Sequence, residues 1–191
     1  MTAPDSRPKV VAVIGSPRRR GNTATLVDAA LEELERGGCD CARIVLADKR
    51  IEFCSGHVNC GERACPHDDD MAGILEQVYA DGLLLATPIY YENVSGQMKT
   101  FMDRNATRYY GDEHLTPKAV GLIAVAGESD AEDTLAAMRR FLALSNPEEL
   151  PVVALGGCAD KPGEVAQDAE LMAKARELGR EMATQIGRDP S

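Results

Sequence analysis

The 191-residue chain has no tryptophan, 3 phenylalanines and 5 tyrosines, so any place where rings gather stands out. No apolar stretch approaches the span of a membrane helix, and the start, MTAPDSRPK, carries no apolar h-region. Membrane insertion and secretion are therefore not expected, and the protein is read as cytoplasmic. Cations are in deficit. Lys and Arg number 21 against 31 Asp and Glu, giving a net charge of -10. That balance argues against nucleic acid or an anionic membrane as the main partner and favours a small molecule or a protein. No internal linker is visible, so residues 1–191 read as one domain with short disordered ends. In a cytoplasmic chain of this size the 6 cysteines are expected as thiols, metal ligands or redox groups rather than as a disulfide framework.

Two nucleotide-binding signatures are missing as well. A P-loop needs four residues between its glycines and then Lys, whereas five separate Gly15 from Gly21 here and Asn22 follows. The dinucleotide fingerprint G-x-G-x-x-G fails at once, because Ser16 and Pro17 follow Gly15. What is present is the stretch 9–26, KVVAVIGSPRRRGNTATL. Val10 to Ile14 is an apolar, largely β-branched run suited to a strand buried on both faces. Gly15 lets the chain turn. Ser16, Asn22 and Thr23 offer short donors, Arg18, Arg19 and Arg20 add cations, and the following helix begins with partly positive N–H groups. This is the pattern of a cradle for a single terminal phosphate. The competing reading is an ordinary strand-to-helix turn with a solvated arginine run.

Further along, a helix is expected over 22–36, ended by Gly37 and Gly38, and a strand over 41–46. An irregular Cys/His-rich excursion occupies 47–69. Then come a helix over 70–79, a strand over 83–86 that stops at Thr87-Pro88, and a helix over 95–104 whose Met98, Phe101 and Met102 read as core. A strand over 120–126 leads through Gly127-Glu128-Ser129 to a helix marked by Leu135, Met138 and Leu142 and closed by Asn146-Pro147. A strand over 151–155 precedes a terminal helix with the stripe Leu171, Ala175, Leu178 and Met182. Alternating strands and helices predict an α/β fold, a five-stranded parallel sheet with helices on both faces; right-handed crossovers leave a few topologies, and of these the order 2-1-3-4-5 is expected. Its ligand belongs beyond the carboxyl ends of strands one and three, where the order reverses.

The loop after strand three concentrates the scarce rings at Tyr90 and Tyr91, with Tyr109 and Tyr110 following the next helix. Rings there, with backbone N–H groups between Pro88 and Asn93, suit a planar heterocycle. Packing against a second subunit is the alternative, and for Tyr109 and Tyr110 the two readings weigh equally.

Together these segments resemble the flavodoxin-like NADPH-dependent FMN reductases, including the iron-sulfur flavoproteins and quinone-reducing relatives. The resemblance rests on GSPRRRGNTATL after strand one, DDDM opening the second helix, TPIYYENVSGQMKTFMDR after strand three and AGE after strand four. It implies a flavodoxin-like three-layer sandwich. It also implies that Ser16, Arg18, Asn22 and Thr23, with Arg20 beside them, hold the FMN phosphate. Pro88, Ile89, Tyr90, Tyr91 and Asn93 would line the isoalloxazine, and Gly127 and Glu128 would approach its other side. Homodimers or tetramers are implied too, with the helix of Met98 to Arg104 as a candidate interface.

Cys54, His57, Cys60 and Cys65 form a C-x2-H-x2-C-x4-C array, compact enough for four ligands on one centre. The iron-sulfur members of the family carry cysteine where His57 stands. A loop without metal, a 4Fe-4S cluster and a zinc site are all open readings, and His67 is a spare ligand. Cys39, Cys41 and Cys158 are read as buried structural thiols.

The function expected is an FMN-dependent NAD(P)H oxidoreductase: NADPH or NADH delivers hydride to FMN, and electrons pass to a small-molecule acceptor. No protein acid or base is obligatory. Tyr90 or Tyr91 would gate the ring, and Arg19 and Arg20 would meet the phosphates of the nicotinamide cofactor. The alternative is an iron-sulfur flavoprotein that carries electrons between proteins without binding a nicotinamide. A phosphoacceptor domain of the same topology fails, because it needs aspartate at the end of strand three, where Thr87-Pro88 stand.

Overall fold

The computed structural model describes residues 7–57, 60, 65–105, 115–128, 130–145 and 151–187. A run that is apolar at every position can only be a strand with both faces covered. Accordingly β1 (Lys9–Ile14) exposes Lys9 alone. Val10, Ala12 and Ile14 enter one core, and Val11 and Val13 enter the other. The remaining strands are β2 (Asp40–Val45), β3 (Gly82–Tyr90), β4 (Asn93–Val94), β5 (Ala119–Ala126) and β6 (Val152–Cys158). The main sheet is parallel with order β2-β1-β3-β5-β6.

Helices α1 (Asn22–Arg36) and α5 (Ala169–Ile186) cover one face. The other carries α2 (Met71–Gln77), α3 (Gly96–Arg104) and α4 (Glu132–Ser145). The expected terminal stripe is buried in full, as are Leu135, Met138 and Leu142 of α4. Each large aliphatic side chain so buried contributes about 1.5–3 kcal/mol. Met98 and Phe101 of α3 are fully buried, and Phe101 meets Phe141 edge to face at 6.2 Å, so this face of α3 is core.

The flavodoxin-like class and the strand order are as expected, while the strand count is not. Instead of stopping at Thr87-Pro88, β3 runs on to Tyr90 and folds back on β4 as a short hairpin, Ile89 opposite Val94 and Tyr90 opposite Asn93. Pro88 is tolerated because it lies beyond Ala86, the last β3 residue paired with β1. The final strand also outruns its expected end at Leu155 and reaches Cys158. Gly156 and Gly157 hide this extension from a propensity argument, yet close packing demands them. A Cβ at Gly156 would stand 2.7 Å from Ala131 Cβ, and one at Gly157 would stand 2.8 Å from Leu171 Cδ2.

The excursion 47–69 opens with a short 3-10 turn, Leu46–Asp48, and is closed at its ends. Arg50 N–H donates to Asp70 Oδ2 at 2.7 Å, Asp70 N–H returns a bond to Arg50 O at 3.0 Å, and Glu52 N–H donates to Asp69 Oδ2 at 2.9 Å. Among the described residues no helix is long and apolar enough to cross a membrane. Tyr109, Tyr110, Asn146-Pro147 and the termini, on all of which expectations were stated, lie outside the described residues.

Candidate active site

The carboxyl ends of β1, β3, β5 and β6 meet at a cleft, and the first contribution to it is the turn after β1. Gly15 N–H donates to Ala86 O at 2.8 Å, prolonging the β1–β3 ladder by one bond. Gly15 O accepts from Ser95 Oγ at 2.7 Å, and the same Oγ caps α3 by accepting from Met98 N–H at 3.2 Å. Ser95 N–H in turn donates to Thr87 Oγ1 at 3.0 Å. Thr87 and Ser95 are fully buried. A Cβ on Gly15 would come within 2.8 Å of Ser95 Oγ and 2.9 Å of Met98 Cβ, so only glycine lets these segments close on each other.

Beyond Gly15 the loop tightens. Arg18 N–H donates to Ser16 Oγ at 3.2 Å, and Gly21 N–H donates to Arg18 O at 3.1 Å. Gly21 is the N-cap of α1 and no side chain caps the helix. Its first N–H groups therefore face the cleft as donors bearing partial positive charge, which is the requirement for an anion site.

Ser16, Arg18, Gly21, Asn22 and Thr23 line the cleft from this side, Pro88, Ile89 and Tyr90 from β3, and Val125, Ala126 and Gly127 from β5. Ala159 and Asp160, after β6, complete it. Sequence reasoning missed Val125, Ala126, Ala159 and Asp160. The last two could have been found by recognising that β6 continues through its glycines, which carries its loop to the same crevice.

Other expected residues stand apart. Arg20 and Glu128 are exposed and are not among the cleft's lining residues. Arg19 is held on the surface by an ion pair with Asp48 at 2.7 Å. Asn93 turns its Oδ1 back to Val94 N–H at 2.8 Å. Asn22 is at the cleft, but its amide is already engaged. Nδ2 donates to Ala159 O at 3.1 Å and Lys161 O at 2.9 Å, and Oδ1 accepts from Val165 N–H at 3.4 Å. Its side chain thus ties the loop after β6 to the start of α1, leaving its backbone N–H for an anion.

Tyr91 lies at the hairpin tip, fully exposed, outside the lining of the cleft. Tyr91 and Glu92 have φ of 48° and 59°, two successive left-handed residues as a two-residue hairpin of this hand requires. Asn and Gly are the usual occupants, and tyrosine and glutamate there carry strain of about 1–3 kcal/mol each. Thr134 Oγ1, from α4, donates to Glu92 O at 3.5 Å.

A second cluster lies at the far end of α3. Cys54, His57, Cys60, Cys65 and His67 line one small pocket with Asp103 and Arg104. His57 Nε2 and Cys60 Sγ are 3.8 Å apart, and His67 Nε2 is buried without a hydrogen-bond partner. Among the described residues no three such side chains converge closely enough to hold an ion as they stand. Arg104 and Asp69 form a buried ion pair, their side chains 4% and 1% exposed, through bonds of 2.6 and 3.1 Å. The guanidinium holds the Asp69 carboxyl well below the usual carboxylate range. Elsewhere, burial raises the Cys39 thiol and pushes that of Cys41 up to about 12, in keeping with unreactive thiols. Cys158, expected to be buried, is exposed, because the lengthened β6 carries it to the sheet's rim.

Residues 8–156 match the family model described as NADPH-dependent FMN reductase. An iron-sulfur flavoprotein of Archaeoglobus fulgidus is 35% identical over 92% of this chain and 79% of its own length. One from Methanocaldococcus jannaschii is 34% identical over 92% of this chain and 95% of its own. Among solved structures, an NAD(P)H:quinone oxidoreductase from Methanothermobacter marburgensis aligns with a TM-score of 0.70 at 18% identity, over 93% of this chain and 98% of that one. With its sheet order, its cleft and this match agreeing, the chain belongs to the NADPH-dependent FMN reductase family.

Proposed function

We propose that the protein is an FMN-dependent oxidoreductase that takes hydride from NADPH or NADH and passes electrons to a small acceptor. The observation that carries this is the uncapped start of α1, opening onto a cleft shared with Ser16 and Arg18 at the sheet's switch point. Those residues fit a terminal phosphate: Ser16 and Thr23 as hydroxyl donors, Arg18 as the cation, and the first α1 N–H groups as a preorganised cradle. Pro88, Ile89, Tyr90 and the backbone of Val125 to Gly127 supply apolar walls and hydrogen-bonding edges for a planar ring. When bound, FMN supplies hydride acceptance and onward electron transfer, and no acid or base from the chain is needed. The chain's own work is to orient the ring and exclude water, with Tyr90 against it. Tyr91, at the strained tip, is placed to meet whatever approaches from outside. Self-association into a dimer or tetramer belongs to the same proposal.

The relatives named iron-sulfur flavoproteins, together with the Cys/His pocket, favour a second reading in which a metal centre beside the flavin makes the protein an electron carrier. Visible spectra of anaerobically purified protein, before and after NADPH, separate the two. Resolved flavin bands that NADPH bleaches support the reductase. A flavin left oxidised by NADPH but reduced by dithionite supports the carrier, and no flavin even after reconstitution with FMN contradicts both.

A further inference from the structure

A second cavity, of about 370 Å³, opens between the segment after β2 and the first turns of α3, and it shares no lining residue with the cleft described above. Leu46, Ala47, Ile51 and Phe53 give it apolar walls. Phe53 is 79% exposed, yet the backbone before it is pinned. Glu52 N–H donates to Asp69 Oδ2 at 2.9 Å and Glu52 O accepts from Arg104 Nη1 at 2.7 Å, so the buried ion pair fixes where the next ring stands. Across the cavity is Gly96, the first residue of α3, where a Cβ would meet nothing within 4 Å. Glycine in a helix costs about 0.5–1 kcal/mol relative to alanine, and no neighbour within the chain explains it here; close approach of a bound molecule to the backbone does. Lys49 is the one charge among the described lining residues, and neither its Nζ nor the side-chain amide of Gln97 beside it has a partner among them. The charges nearby are already matched, Asp48 with Arg19 at 2.7 Å and Lys99 with Asp103 at 2.5 Å.

We propose that this cavity is a binding site for a small aromatic carboxylate, separate from the flavin cleft and independent of the flavin reading. Its volume lies within the roughly 300–1,000 Å³ of small-molecule sites, at the end that admits a small ring system and not a dinucleotide. Leu46, Ala47 and Ile51 make an apolar bed for the ring, and Phe53 offers a face to stack on. The single cation sets the charge. A phosphate ester, doubly negative, asks for more donors than Lys49 and Gln97 supply, whereas a carboxylate takes one bond from each. Because the chain carries a net charge of -10, its overall field does not gather anions, and selection rests on contact with Lys49. Gly96 leaves room where the ligand's edge meets the helix. The site adjoins the frame of the flavin cleft, since Asp48 pairs with Arg19 of the turn after β1 and Gly96 follows Ser95.

The probes are 2-naphthoate and its uncharged isostere 2-naphthamide, titrated into the full chain saturated with FMN while 1H–15N spectra are recorded. Wild-type protein is expected to bind the acid about three- to fivefold tighter than the amide, as an exposed charge pair allows. The backbone signals of Lys49, Gly96 and Gln97 should be among those that shift. Lys49→Gln should bring the two affinities together and leave that of the amide unchanged. Gly96→Met places a side chain in the open space of the cavity and should weaken both probes at least about tenfold. No binding by wild-type protein, equal affinities for acid and amide, or a preference that survives Lys49→Gln overturns the proposal. So does Gly96→Met that binds both probes as before, or binding that leaves the signals of Lys49, Gly96 and Gln97 unmoved. Gly96→Met that changes the mass in solution overturns it in favour of a contact between copies of the chain. If that variant fails to fold, seen as lost FMN, Phe53→Ala decides: weaker binding of both probes supports the site, and unchanged binding overturns it. Failure of wild-type protein to bind FMN counts against the flavin reading alone, and the same titrations without FMN then test the cavity, which shares no lining residue with the cleft.

Discussion

Ser95 Oγ and the carbonyl of Gly15 are joined by a 2.7 Å hydrogen bond across 80 residues of sequence, and the bond locks the start of α3 to the turn after β1. Both groups are deep in the molecule, and the same hydroxyl caps α3. Ser95→Ala should therefore cost about 2–4 kcal/mol, the sum of a lost cap and an unsatisfied buried carbonyl. Urea unfolding measures it. The affinity for FMN should fall too, since the freed turn carries Ser16 and Arg18.

Arg18 and Asn22 line the same cleft and should behave differently. Arg18 has no side-chain role in the fold among the described bonds, so Arg18→Ala should weaken FMN binding at little cost in stability. Asn22 holds Ala159, Lys161 and Val165 through its amide, so Asn22→Ala should lose about 1–3 kcal/mol as well. Parallel flavin titrations and thermal melts separate the two effects.

Glu92 occupies a left-handed position that favours glycine. Glu92→Gly should relieve strain and raise stability by up to about 1 kcal/mol net of the freedom gained by the unfolded chain. For a chain of this size that is roughly 2–4 °C in Tm. If the strained tip serves turnover, the same variant gains stability and loses rate with NADPH, a split that steady-state kinetics would show.

Asp69 links folding to pH. Its carboxyl is held below its ordinary range by the Arg104 guanidinium, so the folded chain keeps it ionised where the unfolded chain protonates it. The resulting stability is complete above the unfolded value, about 3.9, and is lost as pH falls through the lower folded value. Asp69→Asn should be less stable at neutral pH and show a flatter acid limb. Removing Arg104 instead strands a buried carboxylate, and Arg104→Ala should cost about 3–5 kcal/mol.

Much of this was legible in the residues, and the failures have physical causes. An apolar run such as Val10 to Ile14 admits only a doubly covered strand, and helical stripes such as Leu171 to Met182 admit only a helix against the sheet. Those periodicities yielded the alternation of strands and helices, which right-handed crossovers narrow to a few sheet orders; the order expected among them, and with it the crevice, is the one observed. The hairpin Tyr90 to Asn93 was invisible because its turn residues, Tyr91 and Glu92, are the wrong types for their backbone. The end of β6 was hidden by Gly156 and Gly157, whose reason is a neighbour's side chain and not their own propensity. Asn22 shows the commonest ambiguity. A polar residue at the mouth of an anion site can donate to the ligand or to the loop that frames it, and residue type does not distinguish the two. Arg104 and Asp69 lie 35 residues apart, a pairing that periodicity cannot register.

The central claim is that the cleft between the turn after β1 and the ends of β3 and β5 is built for a flavin carrying a terminal phosphate. Titration of flavin-free protein with FMN and, separately, with riboflavin tests it most directly, because the two ligands differ in that phosphate alone. The account predicts FMN binding at least about a hundredfold tighter, equivalent to roughly 2.7 kcal/mol from the phosphate, with most of that margin lost in Arg18→Ala. Equal affinity for the two flavins would contradict it.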